Sequence, residues 1–226
     1  MQNKTNKKKE KVMKSKVKSE NMKTLIIVDV QNDFCNPDGA LYVKGAESIP
    51  EKILEFVKKN KDNINQIIFT RDWHLKKDKS FKDNGGTWPV HCVQNTEGAA
   101  INKNLYDTLV QSKIQVNVVN KGTVFDHEEY GAFEHCATFH HLYPNDKPIV
   151  QHCYFANVES SSGSRIINEN VIVCGVAGDY CVKETIKNLK KHWRKFNIEL
   201  FMDGIASIDD GTTLLEFATE NNLKTI

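Results

Sequence analysis

No apolar run in these 226 residues is long enough to span a bilayer. The basic N-terminus also lacks the apolar stretch of a secretory signal, so neither secretion nor a membrane anchor is expected. The six cysteines form no C-x-x-C pair, which removes the usual frame of a structural zinc site. Three His-Cys dipeptides (His91-Cys92, His135-Cys136 and His152-Cys153) invite a metal reading. Neighbours on a strand point to opposite faces, however, so no dipeptide is a chelate by itself. His135, His140, His141 and His152 are read as non-catalytic, and no internal repeat is evident. Large apolar residues are almost missing from residues 1–22, so that segment is expected to be a disordered tail preceding one domain over 23–226. Residues 1–23 hold nine Lys against two Glu. The rest hold 22 Lys and Arg against 27 Asp and Glu, a net of −5, so the slightly basic balance belongs to the tail. A mildly acidic domain argues against a nucleic-acid-binding surface on it. A cytoplasmic protein with reduced thiols is therefore expected, with the nucleus also open.

About two hundred residues remain for the domain, enough for a single core. Apolar runs at 24–30, 66–70, 114–119, 171–176 and 198–202 read as buried parallel strands. Between the first two, Ser48-x-x-Glu51 with Pro50 reads as a capping box opening a helix, with Ile53, Phe56 and Val57 facing inward. Strand–helix alternation predicts the α/β class, with three layers (α/β/α) around a mostly parallel, Rossmann-like sheet. Pro148-Ile149-Val150 is either a short strand or part of an insertion, and the Ser/Gly cluster at 157–164 reads as a loop.

The chemistry-bearing residues stand at strand ends. The run Val171-Ile172-Val173-Cys174-Gly175 leads into Val176-Ala177-Gly178-Asp179-Tyr180-Cys181-Val182, and from Val182 the apolar residues Ile186, Leu189 and Trp193 recur at helical spacing. Cys181 thus sits near a helix start, where unpaired N–H groups and the dipole favour a thiolate or a developing oxyanion. Asp29 closes the first apolar run and Lys121 the third, where parallel α/β sheets build their sites. Together they suggest a cysteine nucleophile with a carboxylate base and a cationic stabiliser. Singly each has a plainer reading: an inert buried thiol, and two solvent-exposed charges. Asp72 and His74 lie two apart on an extended chain and face the same way. With His91 they make a carboxylate-plus-two-imidazole set that suits Zn²⁺, Fe²⁺ or Mn²⁺; an ordinary surface ion pair is the alternative.

From about Lys23 onward the chain resembles the nicotinamidase (pyrazinamidase) family of the isochorismatase-like cysteine hydrolases. The segments IIVDVQNDF, PDGALYVKGA, TRDWH, SF, GGTWPVHCVQNTEGA, KGT, YGAF and GVAGDYCV carry the resemblance, in the family's order. It implies the isochorismatase-like fold and metal-dependent hydrolysis of nicotinamide to nicotinate and ammonia through a cysteine thioester, in NAD salvage. It assigns Asp29 as general base, Lys121 as its partner and Cys181 as nucleophile. It also implies a cis peptide between Val176 and Ala177, with the Ala177 and Cys181 backbone N–H groups as the oxyanion hole. Phe34, Trp88 and Tyr130 fall on the family's ring-binding wall. One divalent metal ion (Zn, Fe or Mn) is implied on Asp72, His74 and His91. Relatives often carry a histidine shortly after the first metal histidine; here Asp78 takes that place, as a fourth ligand, as the holder of a water, or on an exposed turn. The implied partner is small-molecule nicotinamide, with no nucleic acid or membrane, and a homo-oligomer is compatible with the resemblance. Competing readings are a sister amidase for another small amide or carbamoyl compound, a vinyl ether hydrolase, and an inactive binding module.

Overall fold

A computed structural model describes residues 22–123, 128–133, 137–141, 149–153, 169–192 and 196–226. The tail, the 157–164 cluster, Trp193 and the His135-Cys136 pair lie outside the described residues. The chain runs β1 (Lys23–Val28), α1 (Asn32–Cys35), α2 (Ile49–Asn60), β2 (Ile64–Asp72), α3 (Lys103–Val110) and β3 (Gln115–Lys121). It continues through β4 (Ala137–His141), β5 (Ile149–Cys153), β6 (Asn170–Val176), α4 (Lys183–His192), β7 (Asn197–Ala206), α5 (Thr212–Glu220) and β8 (Lys224–Thr225).

Alternate residues of a strand point to opposite faces, and β1 is apolar on both. Leu25 and Ile27 join a core with Ile53 and Val57 of α2 and Leu105 and Leu109 of α3. Ile26 and Val28 join a second core with Ile186 and Leu189 of α4 and Leu214 and Phe217 of α5. A strand buried on both faces needs a helical layer on each side, which produces the three-layer α/β/α architecture. Truncating a fully buried Ile such as Ile27 or Ile53 to Ala would cost about 2–5 kcal/mol. The sheet order is β5-β4-β3-β2-β1-β6-β7-β8, with β3, β2, β1, β6, β7 and β8 parallel. All five expected parallel strands are present, and β7 runs on to Ala206. Ile149 and Val150 open β5, which pairs antiparallel with the unpredicted β4 at one sheet edge; Pro148 lies outside the described residues.

The helix expected after Ser48 forms, but its capping box does not. Ser48 ends a 3₁₀ turn over Ala46–Ser48 and already has helical angles (φ −87°, ψ −15°). An N-cap side chain reaches back onto the helix only from an extended backbone. The Ser48 hydroxyl instead donates to Gly45 O at 2.9 Å. Pro50 does occupy the first turn, and Phe56 stacks on Phe201 with ring centroids 4.2 Å apart. Among the described residues, no helix is long and apolar enough to cross a membrane.

β1 lies where the strand order reverses, with β2 and β3 on one side and β6 and β7 on the other. Connections leave in opposite directions there and open a crevice at the strands' C-terminal ends. Gly175 permits the tight approach of β6 to β1: its φ is +119°, and a β-carbon would fall 2.0 Å from Val28 O.

Candidate active site

Asp29, immediately beyond β1, takes a left-handed conformation (φ 50°) that turns the chain off the sheet. Thr70 Oγ1 donates to Asp29 Oδ1 at 2.6 Å. On β2, Thr70 and Asp72 share one face, and the β2–β3 register sets Asp72 beside Lys121. Lys121 Nζ therefore donates to Asp72 Oδ1 at 2.5 Å and lies 2.8 Å from Asp29 Oδ2. It also lies 3.5 Å from Cys181 Sγ. An oxygen of Asp29, one of Asp72 and the Cys181 sulfur all fall within 4.8 Å of one another. Asp29 and Lys121 are at most 1 % exposed, so the solvent-exposed reading of both is excluded.

Burial would push the Lys121 ammonium toward neutrality, but Asp29 and Asp72 outweigh it and hold Lys121 well above its ordinary value. Burial likewise raises Asp29, only partly opposed by Lys121, and raises the Cys181 thiol well above its ordinary value against the same opposing charge. Burial also disfavours the charged form of Asp72, yet Lys121 and His74 hold that carboxyl well below the usual range. One buried cation thus faces two carboxylates and a thiol.

Cys181 lies in a π turn (Gly178–Val182) that leads directly from β6 into α4. Such turns recur at functional sites because they reset which groups face a cleft. The Val176–Ala177 peptide is cis. Ala177 and Cys181 line a cleft at the C-terminal ends of the strands. Phe34, Trp88 and Tyr130 line the same cleft, as do Tyr180, Glu128 and Ile208. Trp88 Nε1 donates to Tyr130 Oη at 3.0 Å, and the Trp88 ring meets Tyr180 edge-on at 5.2 Å. These contacts set aromatic walls on a cleft that Asp72, His91 and Glu128 also line. The buried carboxylate of Asp179 accepts from Ile208 N (2.9 Å) and Asp209 N (3.1 Å), pinning the loop that brings Ile208 to the cleft.

The second cluster adjoins the first through Asp72. His74 and Val93 form a parallel bridge, with His74 N donating to Cys92 O, and this brings the His91 loop alongside. Ligand atoms of Asp72, His74 and His91 all lie within 4.8 Å of one another. His91 Nδ1 lies 2.8 Å from Pro89 O, which leaves Nε2 toward Asp72, 3.8 Å from Oδ2. His74 Nε2 is 3.7 Å from Asp72 Oδ1. Asp78 is buried, not on an exposed turn, and its Oδ2 stands 3.3 Å from His74 Nδ1. Both His74 ring nitrogens and Asp78 Oδ2 are buried without a hydrogen-bond partner among the described residues. Unsatisfied buried polar atoms are costly, and a cation among one carboxylate and two imidazoles would satisfy the ring nitrogens that face it. The residues present fit a divalent metal. Gly122 (φ +62°) lies against His74, and a β-carbon there would come within 2.6 Å of Cε1.

The isochorismatase domain model matches residues 23–134. The nicotinamidase of Saccharomyces cerevisiae is 32% identical over 188 residues, covering 73% of this chain and 79% of that protein. The chain belongs to the nicotinamidase family of isochorismatase-like hydrolases. Two solved structures resemble this nicotinamidase-family chain over nine-tenths or more of its length. The crystal structure of PnC1 from L. infantum in complex with nicotinate has a TM-score of 0.69 and 30% identity, over 92% of this chain and 93% of that one. The pyrazinamidase of Pyrococcus horikoshii in complex with zinc has a TM-score of 0.65 and 31% identity, over 90% and 98%.

Within this nicotinamidase-family fold, sequence reasoning missed Thr70, Tyr180, Glu128, Ile208 and Gln31. Tyr180 had a signal, since it precedes the candidate nucleophile. The others reach the site through contacts spanning dozens of residues, which no local pattern reports.

Proposed function

We infer that this protein is a nicotinamidase that hydrolyses nicotinamide to nicotinate and ammonia, the deamidation step of NAD salvage. The observation that carries this reading is the placement of Cys181, 3.5 Å from Lys121 and beside Asp29, at an aromatic-walled cleft. Asp29 Oδ2 is 2.8 Å from Lys121 Nζ, and one of the Asp29 carboxylate oxygens lies within 4.8 Å of the Cys181 sulfur, which suits Asp29 to take the Cys181 proton. The sulfur attacks the carboxamide carbon, and the backbone N–H groups of Ala177 and Cys181 receive the oxyanion. Asp29 returns the proton to the departing ammonia and then draws one from the water that hydrolyses the thioester. Lys121 balances the single negative charge as it passes from the Asp29–Cys181 pair to the oxyanion and back. Phe34, Trp88 and Tyr130 hold the ring flat, with Tyr180 completing the wall.

A divalent ion (Zn, Fe or Mn) held by Asp72, His74 and His91 would supply a Lewis acid to orient the pyridine nitrogen. Asp78 faces the Nδ1 side of His74, away from the two Nε2 atoms turned toward Asp72, so its role is to orient His74. Asp78→Ala should therefore retain one bound metal but bind it about 10–100-fold more weakly in chelator competition. Complete loss of metal at saturating concentration would make Asp78 a ligand instead. A thiol nucleophile needs reducing surroundings, which supports a cytoplasmic or nuclear location. The purified protein, incubated with nicotinamide and with its metal content measured on the same sample, should yield nicotinate and ammonia in equal amounts. Turnover of another small amide but not of nicotinamide would favour the sister-amidase reading.

A further inference from the structure

The structure assigns Gln31 as a positioning residue for Asp72, an inference that rests on the metal-site reading above. Backbone pairing between β1 and β2 runs only to Ile27 and Phe69, followed by one contact from Asp29 N to Thr70 O. Beyond that the chain leaves the sheet, and the N–H and C=O of Asp72 on the β1 side would face a buried gap. Each such group left unpaired costs about 1–3 kcal/mol. The fully buried Gln31 amide fills the place of the missing peptide: its Oε1 accepts from Asp72 N at 2.7 Å, and its Nε2 donates to Asp72 O at 2.8 Å. Only a side chain with both a donor and an acceptor at this reach can extend the ladder in this way.

The same amide group makes a third bond, from Nε2 to Ala99 O at 2.9 Å. Gln31 N also donates to Asp29 O at 2.7 Å, and the adjacent Asn32 N donates to Ala100 O. Gln31 therefore ties together the turn carrying Asp29, the strand end carrying Asp72 and the segment that follows His91. Asp72 must aim one oxygen at Lys121 and the other toward His91, and constellations of this kind tolerate displacements of only about 0.5 Å. Fixing both backbone groups of Asp72 sets the position and direction of its Cα–Cβ bond, from which the carboxylate reaches both partners.

The test uses the full-length protein loaded with cobalt(II), whose visible absorption reports ligand geometry, with chelator competition for metal affinity. Gln31→Met keeps an unbranched chain of similar length but has neither donor nor acceptor. Gln31→Glu keeps the acceptor and, when protonated, one donor. Gln31→Met should weaken metal binding by about 10–100-fold and alter the cobalt spectrum, with Gln31→Glu intermediate. If Gln31→Met does not fold, a shifted spectrum and weaker binding in Gln31→Glu still support the assignment. Variants that melt at lower temperature while keeping the wild-type spectrum and affinity would overturn it, because Gln31 would then be core support alone. Failure of the unaltered protein to bind one equivalent of cobalt is a separate result, which overturns the metal reading and this inference with it.

Discussion

Cys181→Ala is expected to bring nicotinamide turnover down by a factor on the order of 10⁴–10⁶, as loss of a nucleophile acting within a cooperative unit does. The fold should survive. The substitution removes one sulfur from a side chain at the cleft wall, a change of roughly 1 kcal/mol by the usual range for point substitutions. A thermal melt alongside the product assay separates the two effects. Limiting iodoacetamide should also modify Cys181 ahead of Cys35, Cys92 and Cys174. Those three are buried and none lines the cleft, whereas Cys181 does, so a reagent can reach it. Substantial turnover by Cys181→Ala would remove the thioester from the mechanism.

The other large effect concerns the buried charges. Asp29→Asn keeps the shape and the Thr70 contact but cannot accept the thiol proton, so acylation should slow by about 10²–10⁴. Lys121→Ala should cost a comparable factor, because it removes the charge that balances Asp29 and Cys181. It should also destabilise the protein more, by about 3–5 kcal/mol, since Asp29 and Asp72 would then be buried without their shared cation. The double substitution should be little slower than either single one, because both act on the same thiolate-forming step. Single-turnover rates for all four proteins, measured below the melting temperature of the least stable, test this. Multiplicative losses would assign Asp29 and Lys121 to separate steps.

Much of the fold and half of the site can be read from one strand at a time. Burial on both faces leaves a predominantly apolar run, so 24–30, 66–70, 114–119 and 171–176 announce central parallel strands without any partner in view. A charged residue closing such a run stands out against it, which is why Asp29 and Lys121 were legible, and Cys181 was legible because a helical pattern begins right after it. Edge elements leave no such trace. β4 has no unbroken apolar run, and Ser48, a capping residue by pattern, belongs to the turn before the helix.

Asp78 marks the boundary between the two kinds of information. Its neighbours Lys76, Lys77 and Lys79 suit an exposed turn, yet its carboxylate is buried beside His74. By itself the sequence determined which segments are the parallel strands, that the sheet is covered on both sides, and which residue types end up at its C-terminal edge. Only the tertiary structure decided that Lys121 stands between Asp29 and Asp72, that Asp78 meets the outer nitrogen of His74, and that Gln31 stands in for a peptide of β1. Periodicity records how each residue is buried, because burial acts on one residue at a time. Contacts between strands 40 or more residues apart depend instead on strand order and register, which are set by the packing of the whole sheet.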